Sequence, residues 1–144
     1  MRAEARRRGL ELQVDSAGTA DYHVGDPPDE RAVAEAAEHG VDISTLRGRQ
    51  IKRPDLAGDR PWDHVFVMDK ANLHDTLAVD PDGDHGTRVR LFREFDPEPG
   101  DYQVPDPYYG GAKGFEHVID IVERTAAAIL DRLVAVYDLE PKDA

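Results

Sequence analysis

The stretch Val65-Phe-Val-Met-Asp-Lys-Ala-Asn-Leu-His-Asp-Thr-Leu77 decides the fold, because it joins a strand-like segment to a helix-like one. Its first four residues are continuously apolar, which is typical of a strand that is covered on both faces. The residues from Lys70 to Leu77 predict a short helix. Arg88-Val-Arg-Leu-Phe92 then predicts another strand. Strands that alternate with helices indicate an α/β domain with a parallel sheet.

The same alternation extends toward both ends of the chain. Leu10-Glu-Leu-Gln-Val14 alternates between apolar and polar residues, so it predicts a strand with one better-covered face. Asp29 is suited to cap a helix that runs to about His39. Near the carboxyl end, apolar residues recur at helical spacing and predict a long amphipathic helix. They are Phe115, Val118, Ile119, Val122, Ala126, Ile129, Leu130 and Leu133.

The first eight residues predict a helix that stops at Gly9, with arginines at positions 6, 7 and 8 in its last turn. No start signal precedes them, and two turns without an apolar stripe would not form a stable helix alone. We therefore expect this segment to be the tail of a longer helix.

Composition narrows the class of protein. The chain has 144 residues, which indicates a single domain over 1–144. Its net charge of −12 argues against nucleic acid as a partner. There is no membrane-length apolar run, no signal peptide and no cysteine, so we expect a cytoplasmic location and no membrane partner. Its histidines lack metal-ligand spacing, and no glycine-rich nucleotide motif occurs.

One short loop holds a carboxylate between two prolines and is followed by two adjacent tyrosines: Val104-Pro-Asp-Pro-Tyr-Tyr-Gly110. Pro-Asp-Pro is a common turn, so ordinary turn chemistry is one interpretation of Asp106. The alternative is a general acid, because the prolines restrict the backbone and proton transfer needs a well-placed donor. Tyr108 and Tyr109 are either packing residues or a flat wall for an aromatic substrate.

Several motifs together resemble the low-molecular-weight protein-tyrosine phosphatases. The resemblance covers Met1 to about Leu133, and Asp106-Pro-Tyr-Tyr-Gly110 is its most specific part. The other motifs are Asp15-Ser-Ala-Gly-Thr19, Tyr22-His-Val-Gly25, Pro28-Asp-Glu-Arg-Ala32, Gly48-Arg-Gln50 and Val67-Met-Asp-Lys-Ala-Asn-Leu73.

The resemblance implies a three-layer α/β/α fold with a four-stranded parallel sheet. It also implies hydrolysis of phosphotyrosine through a cysteinyl-phosphate intermediate, without a metal or other cofactor. Asp106 matches the general acid that protonates the departing tyrosine oxygen. Tyr22 and Tyr108 match aromatic walls of the substrate slot, and Tyr109 matches its tyrosine neighbour. The implied partner is a phosphotyrosine protein.

The family's signature, a strand followed by a loop with Cys, five residues and Arg, is not in this sequence. Such a loop would bind phosphate-like anions through backbone N–H groups and the Arg side chain. Because Met1-Arg-Ala-Glu4 matches the middle of the family's first helix, we expect roughly 15–20 residues, including the first, central strand, to be absent. In addition, Leu46 stands where many members have a histidine in a His-x-x-Arg-Gln pattern.

Two hypotheses follow for function. Either the native product carries the missing segment and is an active tyrosine phosphatase, or the chain is an inactive remnant that acts as a binding module. An arsenate reductase on the same scaffold is a third option, although those enzymes use several cysteines and generally lack Asp-Pro-Tyr-Tyr.

Overall fold

A computed structural model describes residues 1–107 and 111–142. Five α-helices, one short 3-10 helix and two strands occur in these ranges. They are α1 (Arg2–Arg7), α2 (Glu30–Glu38), α3 (Arg53–Leu56), β1 (Val65–Val67), α4 (Lys70–Leu77), β2 (Val89–Leu91), the 3-10 helix (Phe92–Phe95) and α5 (Gly111–Tyr137).

The two strands pair in parallel, with Val65 opposite Val89 and Val67 opposite Leu91. Helix α4 lies between them in the chain and contacts both, as a parallel connection requires. The α/β class and the parallel sheet predicted from the sequence are therefore confirmed. Strand β1 is less buried than its apolar sequence predicts, because only Val67 is fully buried. In the described residues, β2 is its one partner strand.

The predicted strand at Leu10–Val14 is wrong. This segment is extended and its side chains alternate between better and less well covered, with Leu10 buried and Glu11 exposed. However, no described strand lies beside it to complete a hydrogen-bonded ladder. The amide of Leu10 instead donates to the carbonyl of Ala5. The alternating pattern thus correctly predicted which side chains face inward but not the pairing.

The predicted helices are present, and their local signals explain them. Asp29 caps α2, since its carboxylate accepts a hydrogen bond from the Arg31 amide at 2.8 Å. Asp69 caps α4 in the same way, through the Asn72 amide at 2.7 Å. The long helix α5 extends to Tyr137, beyond the predicted apolar stripe. Asp138 follows it with a φ of 52°, a left-handed conformation that commonly ends a helix.

Helix α5 forms the centre of the core. Its residues Ile121 and Ile129 pack with Phe92 and Val104, which places the helix against the end of β2 and the loop that leads to Asp106. Leu130, the residue after Ile129, packs with α1 and the extended 10–14 segment. A separate cluster of Leu56, Val67 and Val89 covers the other side of the sheet. None of the described helices combines the length and low charge needed to span a membrane.

Candidate active site

Asp106 lies on the rim of a cleft of about 480 Å³ at the carboxyl end of β1. The lining residues are Asp69, Arg93, Gly100, Asp101, Gln103, Val104, Pro105, Asp106 and His117. The Asp106 side chain is exposed, and prolines stand on both sides of it. The carboxyl end of a parallel strand is the usual place for a ligand in an α/β sheet. This position therefore suits a group that meets a substrate.

Two hydrogen bonds attach the loop before Asp106 to residues that follow β1. The amide of Val104 donates to the carbonyl of Met68 at 2.8 Å, and Val104 itself is buried. One residue earlier, the side-chain oxygen of Gln103 accepts from the amide of Lys70 at 3.1 Å. Only Pro105 separates the buried Val104 from Asp106. The backbone of the acid is thus tied to the sheet within two residues.

The arginine after β2 also binds this loop. The Arg93 guanidinium donates to the carbonyls of Gln103 at 2.8 Å and Glu98 at 2.7 Å. Its Nε also donates to the Asp96 carboxylate at 3.0 Å. Arg93 is 8% exposed, so these bonds are made away from bulk water, where an unmade hydrogen bond is costly.

Asp96 is the buried anion beneath this loop. Burial by itself raises the pKa of its carboxyl group. Hydrogen bonds from Arg124, from the Glu98 amide and from Arg93 outweigh that effect and hold the pKa far below its ordinary value. Arg124 reaches Asp96 from α5 through Nε at 2.7 Å and Nη2 at 3.0 Å. Asp96 is therefore charged at neutral pH, and it joins the loop to the long helix.

Tyr22 lies on a different loop and does not line the cleft of Asp106. Its side chain is 76% exposed, and the edge of its ring meets the ring of His23 at a centroid distance of 4.5 Å. Two backbone bonds fasten this loop to Gly48: Gly25 N–H to Gly48 O at 2.8 Å and Gly48 N–H to Asp26 O at 2.9 Å. A side chain at position 48 would overlap the carbonyl of His23.

The Asp15–Thr19 segment pairs with Arg49 and Gln50, the two residues that follow Gly48. Gly18 forms an isolated parallel bridge with Gln50, and the Gln50 side chain donates to the Thr19 carbonyl at 3.3 Å. Arg49 joins Asp15 and Asp55, at 3.1 Å to each carboxylate. These contacts explain why the Gly48-Arg-Gln50 motif accompanies the 15–19 loop: each supports the backbone of the other.

Two of the predicted site residues cannot be placed, and three residues that support the loop before Asp106 were not predicted. Tyr108 and Tyr109 lie outside the described residues. Among the described ones, Arg93, Asp96 and Arg124 were not singled out from the sequence. The available signal was local: Arg93 and Asp96 are charged residues interleaved with Phe92 and Phe95. That pattern suggests a satisfied buried pair, although nothing local points to Arg124.

Comparison with known proteins agrees with the resemblance seen in the motifs. The profile of the family described as low molecular weight phosphotyrosine protein phosphatase matches residues 1–137. The chain is 39% identical over 135 residues to a Synechocystis protein assigned to the low molecular weight protein-tyrosine-phosphatases. That alignment covers 92% of this chain and 83% of the Synechocystis protein.

Solved structures give the same result. The chain superposes on a protein tyrosine phosphatase from Entamoeba histolytica, solved with HEPES in its active site, with a TM-score of 0.76 and 31% identity. The match covers 85% of this chain and 76% of that one. Wzb from Vibrio vulnificus, solved in complex with benzylphosphonate, has a TM-score of 0.71 and 25% identity. There the shares are 83% of this chain and 79% of that one.

Proposed function

Because this chain belongs to the low molecular weight phosphotyrosine protein phosphatase family, we propose that it is the acid-bearing part of a protein-tyrosine phosphatase. The observation that carries the proposal is the placement of Asp106, between two prolines on the rim of the cleft at the carboxyl end of β1. The chain itself contains no cysteine. The nucleophile would come from a Cys-x5-Arg segment outside the 144 residues.

In the proposed reaction, a cysteine thiolate attacks the phosphorus of phosphotyrosine and the bond from phosphorus to the tyrosine oxygen breaks. Asp106 gives its proton to that departing oxygen, which leaves as a neutral phenol. Water then attacks the cysteinyl phosphate and gives its proton to the Asp106 carboxylate, so that inorganic phosphate leaves and the thiolate returns. By the resemblance, Tyr22 and Tyr108 would form the aromatic walls that accept the substrate ring, and Tyr109 would stand beside Tyr108 as its tyrosine neighbour.

A second cleft supports the proposal that the family's first, central strand belongs beside the 10–14 segment. This cleft has a volume of about 850 Å³ and lies between α1, residues 10–15 and Trp62. Within the described residues, the backbone groups of residues 11–13 have no backbone partner. An extended segment with free N–H and C=O groups is a template for another strand. A strand seated there would bring its own carboxyl-end loop into the domain, where we propose the phosphate-binding loop to lie.

The alternative is that the chain acts as an inactive, phosphatase-like binding module. The absence of cysteine favours it for the 144 residues alone, because neither Ser16 nor Thr19 is a suitable substitute for a thiolate. A cytoplasmic location and a phosphotyrosine protein partner remain predictions in both cases. The codons upstream of Met1 distinguish the two: an in-frame Cys-x5-Arg supports the phosphatase, and a stop codon supports the module.

The enzymatic test uses the 144-residue chain and a version that carries a Cys-x5-Arg segment. The shorter chain is expected to have no turnover of p-nitrophenyl phosphate above a buffer blank. In the longer chain, Asp106→Asn should lower kcat for phosphotyrosine by about 10²–10⁴-fold, the usual contribution of a general acid. p-Nitrophenyl phosphate has a better leaving group and should lose less. Equal losses with both substrates would contradict the assignment of Asp106 as the acid.

A further inference from the structure

The loop from Asp96 to Gln103 wraps around the guanidinium of Arg93. Three loop groups accept from this one side chain: the Asp96 carboxylate and the carbonyls of Glu98 and Gln103. Gly100 has a φ of +56°, and a Cβ there would lie 3.5 Å from Arg93 Nη2. The loop therefore turns closely over the guanidinium. A planar fork with several fixed donors suits three acceptors arranged in this way, and a lysine ammonium does not.

This wrapping has a consequence for Asp106. Arg93 stands in the 3-10 helix that directly follows β2, so its backbone belongs to the packed core. Its bond to the Gln103 carbonyl lies immediately before Val104, whose amide is bonded to Met68 at the end of β1. Pro105 then restricts the backbone up to Asp106. Only Gln103, Val104 and Pro105 therefore separate Asp106 from hydrogen bonds to residues at the ends of both strands.

We propose that Arg93 is a positioning residue for Asp106: its guanidinium fixes the 96–104 loop so that the carboxylate is held at the cleft. Its relevance to catalysis rests on the proposed role of Asp106 as the general acid. The positioning itself is a property of the loop and can be measured without turnover.

Arg124 is the matched control, because it shares one contact with Arg93 and lacks the others. Both arginines donate to the Asp96 carboxylate. Within the described residues, only Arg93 binds the backbone carbonyls of Glu98 and Gln103, whereas Arg124 meets the Glu98 side chain at 3.1 Å. If neutralising Asp96 were the whole role of Arg93, then Arg93→Met and Arg124→Met would have the same effect on the loop.

The experiment measures amide hydrogen exchange and the carboxyl carbon resonance of Asp106 by NMR in the 144-residue chain. In Arg93→Met, exchange at the Val104 amide is expected to rise on the order of tenfold relative to the Val65 amide, which bonds Arg88 O in the sheet. The Asp106 carboxyl resonance should shift as well. In Arg124→Met, the ratio of the Val104 exchange rate to the Val65 exchange rate should stay within about threefold of its wild-type value. A threefold change corresponds to less free energy than a typical hydrogen bond contributes.

For the methionine variants, two results would overturn the proposal. One is an equal rise at Val104 and Val65 in Arg93→Met, which would mean that only global stability had changed. The other is a Val104 ratio that responds equally to both arginine substitutions. Arg93→Lys keeps the charge and is the variant to use if Arg93→Met does not fold. It should still raise the ratio, since the three acceptors bond to three different guanidinium nitrogens and the single nitrogen of an ammonium cannot take all three positions. A wild-type ratio in Arg93→Lys would refute the need for the guanidinium.

Discussion

Replacing Asp96 with asparagine tests the buried charge that supports the acid-bearing loop. The Asp96 carboxylate accepts four hydrogen bonds: two from Arg124, one from Arg93 and one from the Glu98 amide. Asparagine has nearly the same shape but only one acceptor oxygen and no charge. Its NH₂ group would face arginine donors. The substitution therefore leaves two guanidinium groups without their anion while changing the packed volume little.

The expected loss follows from these contacts. Breaking a buried ion pair by removing one partner costs about 3–5 kcal/mol. Arg124 is one-third exposed and also lies 3.1 Å from the Glu98 carboxylate, so part of its charge remains compensated. We therefore expect a loss at the lower end, about 3 kcal/mol. For a domain of this size that corresponds to a fall in Tm of roughly 6–12 °C.

The assay is urea unfolding followed by circular dichroism at several pH values from neutral to about 3. The folded-state pKa of Asp96 lies below its ordinary value of 3.8. Its contribution to the free energy of unfolding is therefore complete above that value and is lost as the pH falls toward the folded-state pKa. The difference between the wild type and Asp96→Asn should be largest near neutral pH and should shrink below about pH 4.

Asp82→Asn, at an exposed position of the 80–86 loop, controls for the loss of one negative charge from an acidic chain. It should change the free energy of unfolding by less than about 0.5 kcal/mol. A difference for Asp96→Asn that stays constant between pH 7 and pH 3 would refute the electrostatic explanation. So would a neutral-pH loss no larger than that of the control.

Three further changes have expected outcomes. Gly48→Ala should destabilise the fold by about 1–3 kcal/mol and shift the NMR signals of the His23 loop, because the added methyl group overlaps the His23 carbonyl. Gly86→Ala is the control and should do neither, because a Cβ at position 86 would lie 3.7 Å from the nearest atom. Ile129→Ala removes a side chain that is 1% exposed and should cost about 2–5 kcal/mol in chemical unfolding. A chain that carries the Cys-x5-Arg segment should melt well above the 144-residue chain, and equal midpoints would contradict the proposed central strand.

The local part of this fold could be predicted from the sequence because it depends on spacing and on end signals. The apolar spacing of α5 predicted the helix that forms the core, and Asp29 was correctly predicted to cap α2. The restricted backbone around Asp106 could also be predicted, since the prolines at 105 and 107 act on the backbone of their neighbours. Each of these signals works within a few residues of chain.

Contacts between distant residues could not be predicted in this way. The 10–14 pattern indicated which side chains face inward, but whether an extended segment pairs depends on a strand elsewhere. Arg124 meets Asp96 across 28 residues, and Gly48 meets the His23 loop, only because the tertiary fold brings them together. The sequence by itself therefore determined the four longer helices, the two paired strands and the prolines that flank Asp106. The tertiary structure decided what holds that acid in place, since a buried charge takes whichever partners the packed chain brings within hydrogen-bond distance.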